Sequence, residues 1–208
     1  MGERVWRGLV AGARERRHPI GDVLLRQGEP GTHVLALLTG VAKVLRQDRS
    51  GGLTLLAFRG PGELLGEVAV LDDGVRSARV EAITDCSVAV LAKEPFLRFV
   101  STHDLFPVMT RYALARLRES DLARGSGRVV DRLAAALVAL VEMTTVSAGC
   151  EVELELTRDE LAQYLGVSRN TVSAALAELA ACRVRSGRRR IVVGDLPALQ
   201  NVAAGARS

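Results

Sequence analysis

The stretch GPGELLGEVAVLDDGVRSA, from Gly60 to Ala78, decides how the rest of the chain is read. Gly66 has no Cβ, so backbone can approach a ligand closely there. Glu67 to Leu71 is long enough for one helical turn whose free N–H groups favour an anion. Ten residues beyond Gly66, Arg76 supplies a guanidinium fork for the same anion, and Ser77 adds a hydroxyl. Glu67 is then an acceptor: a carboxylate beside a phosphate is tolerated where it meets a hydroxyl, and a ribose 2′-OH provides one. The residues suggest a sugar phosphate. The alternative for the same positions is a surface ion pair between Glu67 and Arg76 on a glycine-rich turn.

On both sides of this stretch lie short apolar runs: Val23 to Leu25, Val34 to Leu38, Val41 to Leu45, Leu53 to Phe58, Val80 to Ile83 and Val88 to Leu91. Gly21, Gly28, Gly31, Gly40, Gly51, Gly52, Gly60 and Gly62 separate them at turns. Many short strands at this spacing predict an antiparallel sandwich or roll from Pro19 to about Leu91. Residues 1 to about 18 are rich in arginine and carry a short helix with Val5, Leu9 and Val10 as its apolar contacts. Cys86 falls at a strand start and reads as a core residue.

The order LGEVA followed by RSA resembles the phosphate-binding cassette of cyclic-nucleotide-binding domains in the cAMP receptor protein/FNR (Crp/Fnr) family of bacterial transcription regulators. Gly66, Glu67, Ala69, Arg76 and Ala78 carry the match, and RQGEPG (26–31) and LTGVAKV (38–44) resemble the β-roll of the same family. The resemblance implies that Glu67 and Arg76 hold the ribose and cyclic phosphate of cAMP, an allosteric ligand, with Gly66, Val68 and Ser77 completing the pocket. A ligand-independent roll, or one tuned to another effector, is the alternative within the family.

Composition is that of a soluble globular chain: 208 residues, 48% apolar, 25% charged and only 3% aromatic, so the core is built from Leu, Val and Ala. A formal net charge of +4 permits a nucleic-acid partner without requiring one. The start of the chain, with Arg14 to Arg17, lacks a signal-peptide pattern, and the longest apolar run, Leu133 to Val141, has nine residues. A cytoplasmic protein without a membrane partner is expected. Cys86, Cys150 and Cys182 are too far apart for a zinc site, and His18, His33 and His103 are isolated, at surface or cap positions. No metal, haem or iron–sulfur cluster is expected. No nucleophile with a base and no Gly-Lys-Ser phosphate loop is present, which argues against an enzyme.

Pro95 opens a helical stretch. From Leu105 to Arg124 the chain carries Leu105, Val108, Tyr112, Ala115 and Leu122 near heptad spacing, a stripe that needs a partner. In the resembling family this helix pairs with its twin in a homodimer and closes over the nucleotide. The alternative is packing on its own domain. The chain is shorter between Arg116 and Gly127 than the family prototype, which affects the base contacts; Ser120 and Asp121 are the candidates there. Gly125, Ser126 and Gly127 mark the hinge.

Val129 to Met143 is apolar on most sides and predicts a buried helix, followed by a strand at Val152, Leu154 and Leu156. Thr157 with Glu160 three residues on is a capping box that starts a helix ending at Gly166, and Ser168 caps a second from Arg169 to about Ala180. Two short helices joined at a glycine form a helix-turn-helix whose second member presents Arg169, Asn170 and Ser173 to base edges. Five arginines within Arg183 to Arg190 flank Ser186 and Gly187 at a turn, a two-stranded wing suited to phosphates. This end resembles the family's winged helix and places Thr157, Arg158, Ser168, Arg169 and Thr171 at DNA contacts, beside wing residues Arg188 and Arg189. Asn170 and Ala174 depart from the prototype, so a different operator follows. Asp195 caps a last helix.

The expectation is an α+β chain in three parts: a cyclic-nucleotide-binding-like β-roll over 1–104, a dimerisation helix and hinge over 105–127, and a winged helix-turn-helix over 128–208. The partners implied are double-stranded DNA with a palindromic operator, a second copy of the chain, and RNA polymerase.

Overall fold

The computed structural model describes residues 2–48, 51–123, 127–144 and 151–205, leaving aside the side chains of 117–123. Its first part is a pair of antiparallel four-stranded sheets. One has the order β1 (Arg14–His18), β8 (Cys86–Ala92), β3 (His33–Thr39), β6 (Leu64–Leu65); the other runs β2 (Val23–Leu25), β7 (Arg79–Ala82), β4 (Ala42–Gln47), β5 (Leu53–Arg59). Leu35, Leu37, Cys86 and Val88 of the first meet Leu24, Leu25, Ala42, Val80 and Ala82 of the second in one buried cluster, which makes the pair a roll. The tight connection from β3 to β4 requires glycine at residue 40. Its φ is +84°, and a Cβ there would lie 2.2 Å from the Asp85 carbonyl oxygen.

The first sheet has a member that the apolar pattern does not reveal. β1 pairs Arg14 to His18 with Val90 to Cys86 along the sheet edge, and all but His18 are exposed. A strand whose side chains face water has no apolar alternation, so backbone pairing alone defines it. His18 is correspondingly buried, not at the surface, with Nδ1 2.6 Å from Asp22 Oδ2. That hydrogen bond holds the Asp22 carboxyl below the usual carboxylate range.

Helices α1 (Glu3–Val10), α3 (Lys93–Thr102) and the start of α4 (Phe106–Ala123) cover the outside of the first sheet, burying Leu9, Phe96, Val100, Leu105 and Met109 against Val34, Ala36 and Ala89. Val108 and Tyr112 join the same cluster. The stripe read as a helix–helix seam is thus largely the face that α4 turns to its own roll. Ala115 is exposed, the large apolar side chains left in water on the described part of α4 are Phe106 and Leu114, and the Leu122 side chain lies outside the described residues. Gly125 and Ser126 lie outside the described residues.

The C-terminal part is built from α5 (Val129–Glu142), β9 (Val152–Leu154), α6 (Arg158–Leu165), α7 (Arg169–Glu178), a 3-10 turn (Leu179–Cys182), β10 (Val184–Ser186), β11 (Ile191–Val193) and α8 (Leu196–Gly205). Leu133, Leu137 and Leu140 of α5 are buried with Leu161, Val172, Leu176 and Leu199. The small sheet has the order β10, β11, β9, so the wing has a third strand. Thr157 Oγ1 accepts from Glu160 N at 3.1 Å while Glu160 Oε2 accepts from Thr157 N at 2.8 Å, a complete capping box. Gly166 ends α6 at φ +67°, and Ser168 Oγ accepts from Thr171 N at 3.1 Å to start α7. Thr157→Ala removes one half of this box and is expected to cost about 1 kcal/mol in denaturant unfolding with the native secondary structure retained; an unchanged midpoint would contradict the role of the cap.

Candidate nucleotide cleft and nucleic-acid surface

The cleft forms where β6 ends. Gly66 adopts φ +79° and α2 (Glu67–Leu71) begins at the next residue, so the chain turns sharply around the backbone that an anion would approach. A Cβ at residue 66 would fall 2.3 Å from Arg76 Nη1, so glycine is needed for space as well as for conformation. Leu25, Val44, Leu65, Val80 and Ala78 supply the apolar wall, and Arg59, Glu67, Val68, Ala69, Arg76, Ser77 and Arg116 complete the lining. Gly66, Glu67, Val68, Arg76 and Ser77 therefore lie together. The side chain of Ser120 is outside the described residues, as is that of Asp121.

Glu67 and Arg76 are not a surface ion pair. They are 4% and 3% exposed. Arg76 donates from its two Nη atoms to the Gly66 and His33 carbonyl oxygens, and burial pulls its pKa down, opposed by the charges of Glu67 and Glu29. The fork is held on two backbone acceptors that a phosphate oxygen can replace. Burial, and then the charge of Arg76, also lowers the pKa of His33.

The direct partner of Glu67 is Arg116, whose Nη1 lies 2.5 Å from Glu67 Oε1. Arg116 also donates to the Leu64 carbonyl at 2.6 Å and to the Tyr112 hydroxyl, and stacks over the Tyr112 ring 4.1 Å from its centroid. Burial raises the Tyr112 pKa, so its hydroxyl stays protonated and donates toward Glu63. Sequence reasoning missed Arg116. The signal was available as an arginine one turn after Tyr112 on the apolar side of α4, but its reach to Glu67 depends on how α4 packs. Arg59, 6% exposed at the end of β5, is a second unforeseen cation in the lining.

At the other end of the molecule Arg169, Asn170 and Thr171 are exposed on the first turn of α7, with Ser168 beside them and Ser173 half-buried. Arg169 Nε is 3.6 Å from Asp159 Oδ1, and Ser173 Oγ donates to the Arg169 carbonyl at 3.0 Å. Arg158 is half-buried and ties α6 to the wing through Ser186 Oγ at 2.9 Å. In the wing, Arg185, Arg189 and Arg190 each face a glutamate on or flanking β9: Glu151 at 2.6 Å, Glu155 at 3.0 Å and Glu153 at 3.6 Å. Arg188 is exposed at the tip.

Among the described residues no His/Cys/Asp/Glu group could hold a metal ion, and no helix is long and apolar enough to cross a membrane. Cys86 and Cys182 are buried free thiols; burial pushes the Cys86 pKa up to about 11.

A roll with an arginine and a carboxylate at a glycine turn is joined here to a winged helix-turn-helix, the architecture of a DNA-binding protein. The family model for the cyclic nucleotide-binding domain matches residues 15–103, and that for the Crp-like helix-turn-helix domain matches residues 131–202. The cyclic AMP receptor protein of Thermus thermophilus is 31% identical over 201 residues, covering 92% of this chain and 89% of that protein. A CRP-like cAMP-activated global transcriptional regulator of Mycobacterium tuberculosis is 27% identical over 78% of this chain and 75% of its own length. The crystal structure of a CRP/FNR-family transcriptional regulator from Thermus thermophilus superposes with a TM-score of 0.65 at 30% identity, covering 93% of this chain and all of that one. The chain belongs to the Crp/Fnr family of transcription regulators. It is a DNA-binding regulator with a cyclic-nucleotide-binding domain, not an enzyme.

Proposed function

We propose that the chain acts as a homodimer in which a cyclic nucleotide, cAMP in the first place, binds among Gly66, Glu67, Val68, Arg76, Ser77 and Arg116 and favours a DNA-competent state. The observation that carries this is the convergence of buried Arg76 and Glu67 on one cleft, with Glu67 joined to Arg116 of α4. The cavity between these side chains is about 100 Å³. Small-molecule sites span roughly 300 to 1,000 Å³. Entry of a nucleotide therefore separates Arg116 from Glu67, whose carboxylate then accepts from the ribose hydroxyl, while the cyclic phosphate takes the Arg76 fork. Arg116 moves with α4, so ligand binding and the position of α4 are linked. A ligand that binds one position of α4 more tightly shifts the population toward it. We include Ser120, four residues beyond Arg116 in the sequence, as a further member of the ligand set.

The exposed Phe106 and Leu114, each 50% exposed, suit a second copy of α4. Two recognition helices related by that symmetry would read a palindromic operator in successive major grooves, Arg169 and Asn170 reaching base edges. Thr157, Arg158, Ser168, Thr171 and Ser173 surround them, and Arg188 and Arg189 reach phosphates. The β9 glutamates compete with those phosphates for the wing. A Glu151→Gln, Glu153→Gln, Glu155→Gln variant is expected to bind random duplex several-fold more tightly at low salt, with the slope of log K against log salt steeper by up to about 0.9 per arginine released. Equal slopes in filter-binding or anisotropy titrations would rule out a wing contact.

Calorimetric titration with cAMP and with cGMP, paired with duplex binding in the presence and absence of each, tests the whole. Saturable cAMP binding that strengthens DNA binding is expected. No heat and no thermal stabilisation with either nucleotide would refute the sensor assignment, leaving the DNA-binding role intact.

A further inference from the structure

Lys43 is 2% exposed, at the centre of the sheet that also walls the cleft. Its Nζ lies 2.6 Å from Glu160 Oε1, 3.5 Å from Glu81 Oε2 on the adjacent strand, and donates to the Glu155 carbonyl at 3.3 Å. Two of these three acceptors belong to the winged helix. Glu160 is the residue that closes the α6 capping box with its other oxygen, and Glu155 is the partner of Arg189 in the wing. Val44, the next residue along β4, points the opposite way and lines the cleft.

The contact continues along β5, an edge strand. Gln163 of α6 accepts from Leu55 N and donates to the Leu53 carbonyl, both at 2.8 Å, so one side-chain amide takes the place of a neighbouring strand. Glu155 N donates to the Ile83 carbonyl at 2.9 Å, and Phe58 packs on Tyr164 with ring centroids 4.8 Å apart. Val41, Leu45, Leu55, Phe58 and Ile83 of the roll are continuous with the buried cluster around Leu133 and Leu161. A buried ammonium between two carboxylates is tolerated only where its geometry is fixed, because each charge has lost its water. Undocked, all three groups regain solvent. Docked and undocked are the two arrangements such a seam can connect, the requirement for an element that carries coupling.

We propose that the winged helix is docked on the roll by this Lys43-centred seam, and that the seam transmits the state of the cleft to α6 and α7. The transmission half rests on nucleotide binding in the cleft; the docking half does not. The full chain and two variants decide both. Lys43→Met combined with Glu81→Gln removes the two charges that the roll contributes and leaves the Glu160 carboxylate to its capping box, and Gln163→Ala removes the amide bridge without touching that box. The wild type is expected to unfold in one denaturant transition and each variant in two, with faster hydrogen exchange at the Leu55 amide in Gln163→Ala. The ratio of duplex affinities with and without cAMP is expected to fall at least fivefold in each variant, while calorimetry still gives nucleotide binding. One transition and unchanged Leu55 exchange in both variants would overturn docking, whether or not a nucleotide binds. Nucleotide binding with an unchanged affinity ratio would overturn transmission.

Discussion

Replacing Arg76 by alanine is expected to weaken cyclic-nucleotide binding by more than about a hundredfold, the consequence of losing two charge-assisted bonds to one phosphate at about 1.5 to 3 kcal/mol each. No described neighbour can compensate by a small shift. Arg116, once the ligand takes Glu67, is still engaged by the Leu64 carbonyl and by the hydroxyl and ring of Tyr112, and Arg59 by the Phe58 carbonyl with Glu63 near its Nε. The substitution also leaves the Gly66 and His33 carbonyls without the donors that Arg76 gives them. Some loss of thermal stability is expected for that reason, and it must be measured beside the affinity. Arg76→Lys separates the two effects, because an ammonium keeps the charge but cannot span both acceptors as a planar fork. Its affinity is expected between those of alanine and wild type. Calorimetry on folded Arg76→Ala that returned the wild-type dissociation constant would show that the cyclic phosphate lies elsewhere.

Arg169→Ala is expected to relax base preference at one position of each half-site by about 1 to 3 kcal/mol, roughly 5- to 150-fold, while leaving affinity for random duplex almost unchanged. Arg169 is 62% exposed and only loosely tied to Asp159 at 3.6 Å, so its removal leaves the packing of α7 on Val172, Leu176 and Leu179 intact. Arg188→Ala is the contrasting control. A phosphate contact carries no sequence information, so all duplexes should weaken together and the salt slope should fall by about 0.9. Binding-site selection on both variants checks the pair; an identical preference profile for Arg169→Ala and wild type would remove Arg169 from base reading.

The helix-turn-helix was legible residue by residue because its signals are local. Thr157 and Glu160 close the cap three residues apart, Gly166 ends one helix in the left-handed region, and Ser168 starts the next. The cassette was legible for the same reason. β1 was not, since a charged edge strand is defined by its pairing with β8 and has no pattern of its own. The stripe on α4 was seen, but its direction was not: Leu105, Val108 and Tyr112 fit a twin helix or a sheet equally well as apolar residues at helical spacing, and only the roll's position decides between them. The wing was read as five cations, whereas the tertiary fold sets three of them against the glutamates that alternate along the third strand.

By itself the sequence determined the parts: a glycine-turn cassette with Glu67 and Arg76, a strand-rich roll, a capped pair of helices and a basic hairpin, each written in neighbours within about a dozen residues. Only the tertiary structure decided that Arg116 meets Glu67, 49 positions away, and that Lys43 meets Glu160, 117 positions away. Burial of a charge is set by what packs over it, and periodicity in one element does not encode the identity of the element that will cover it.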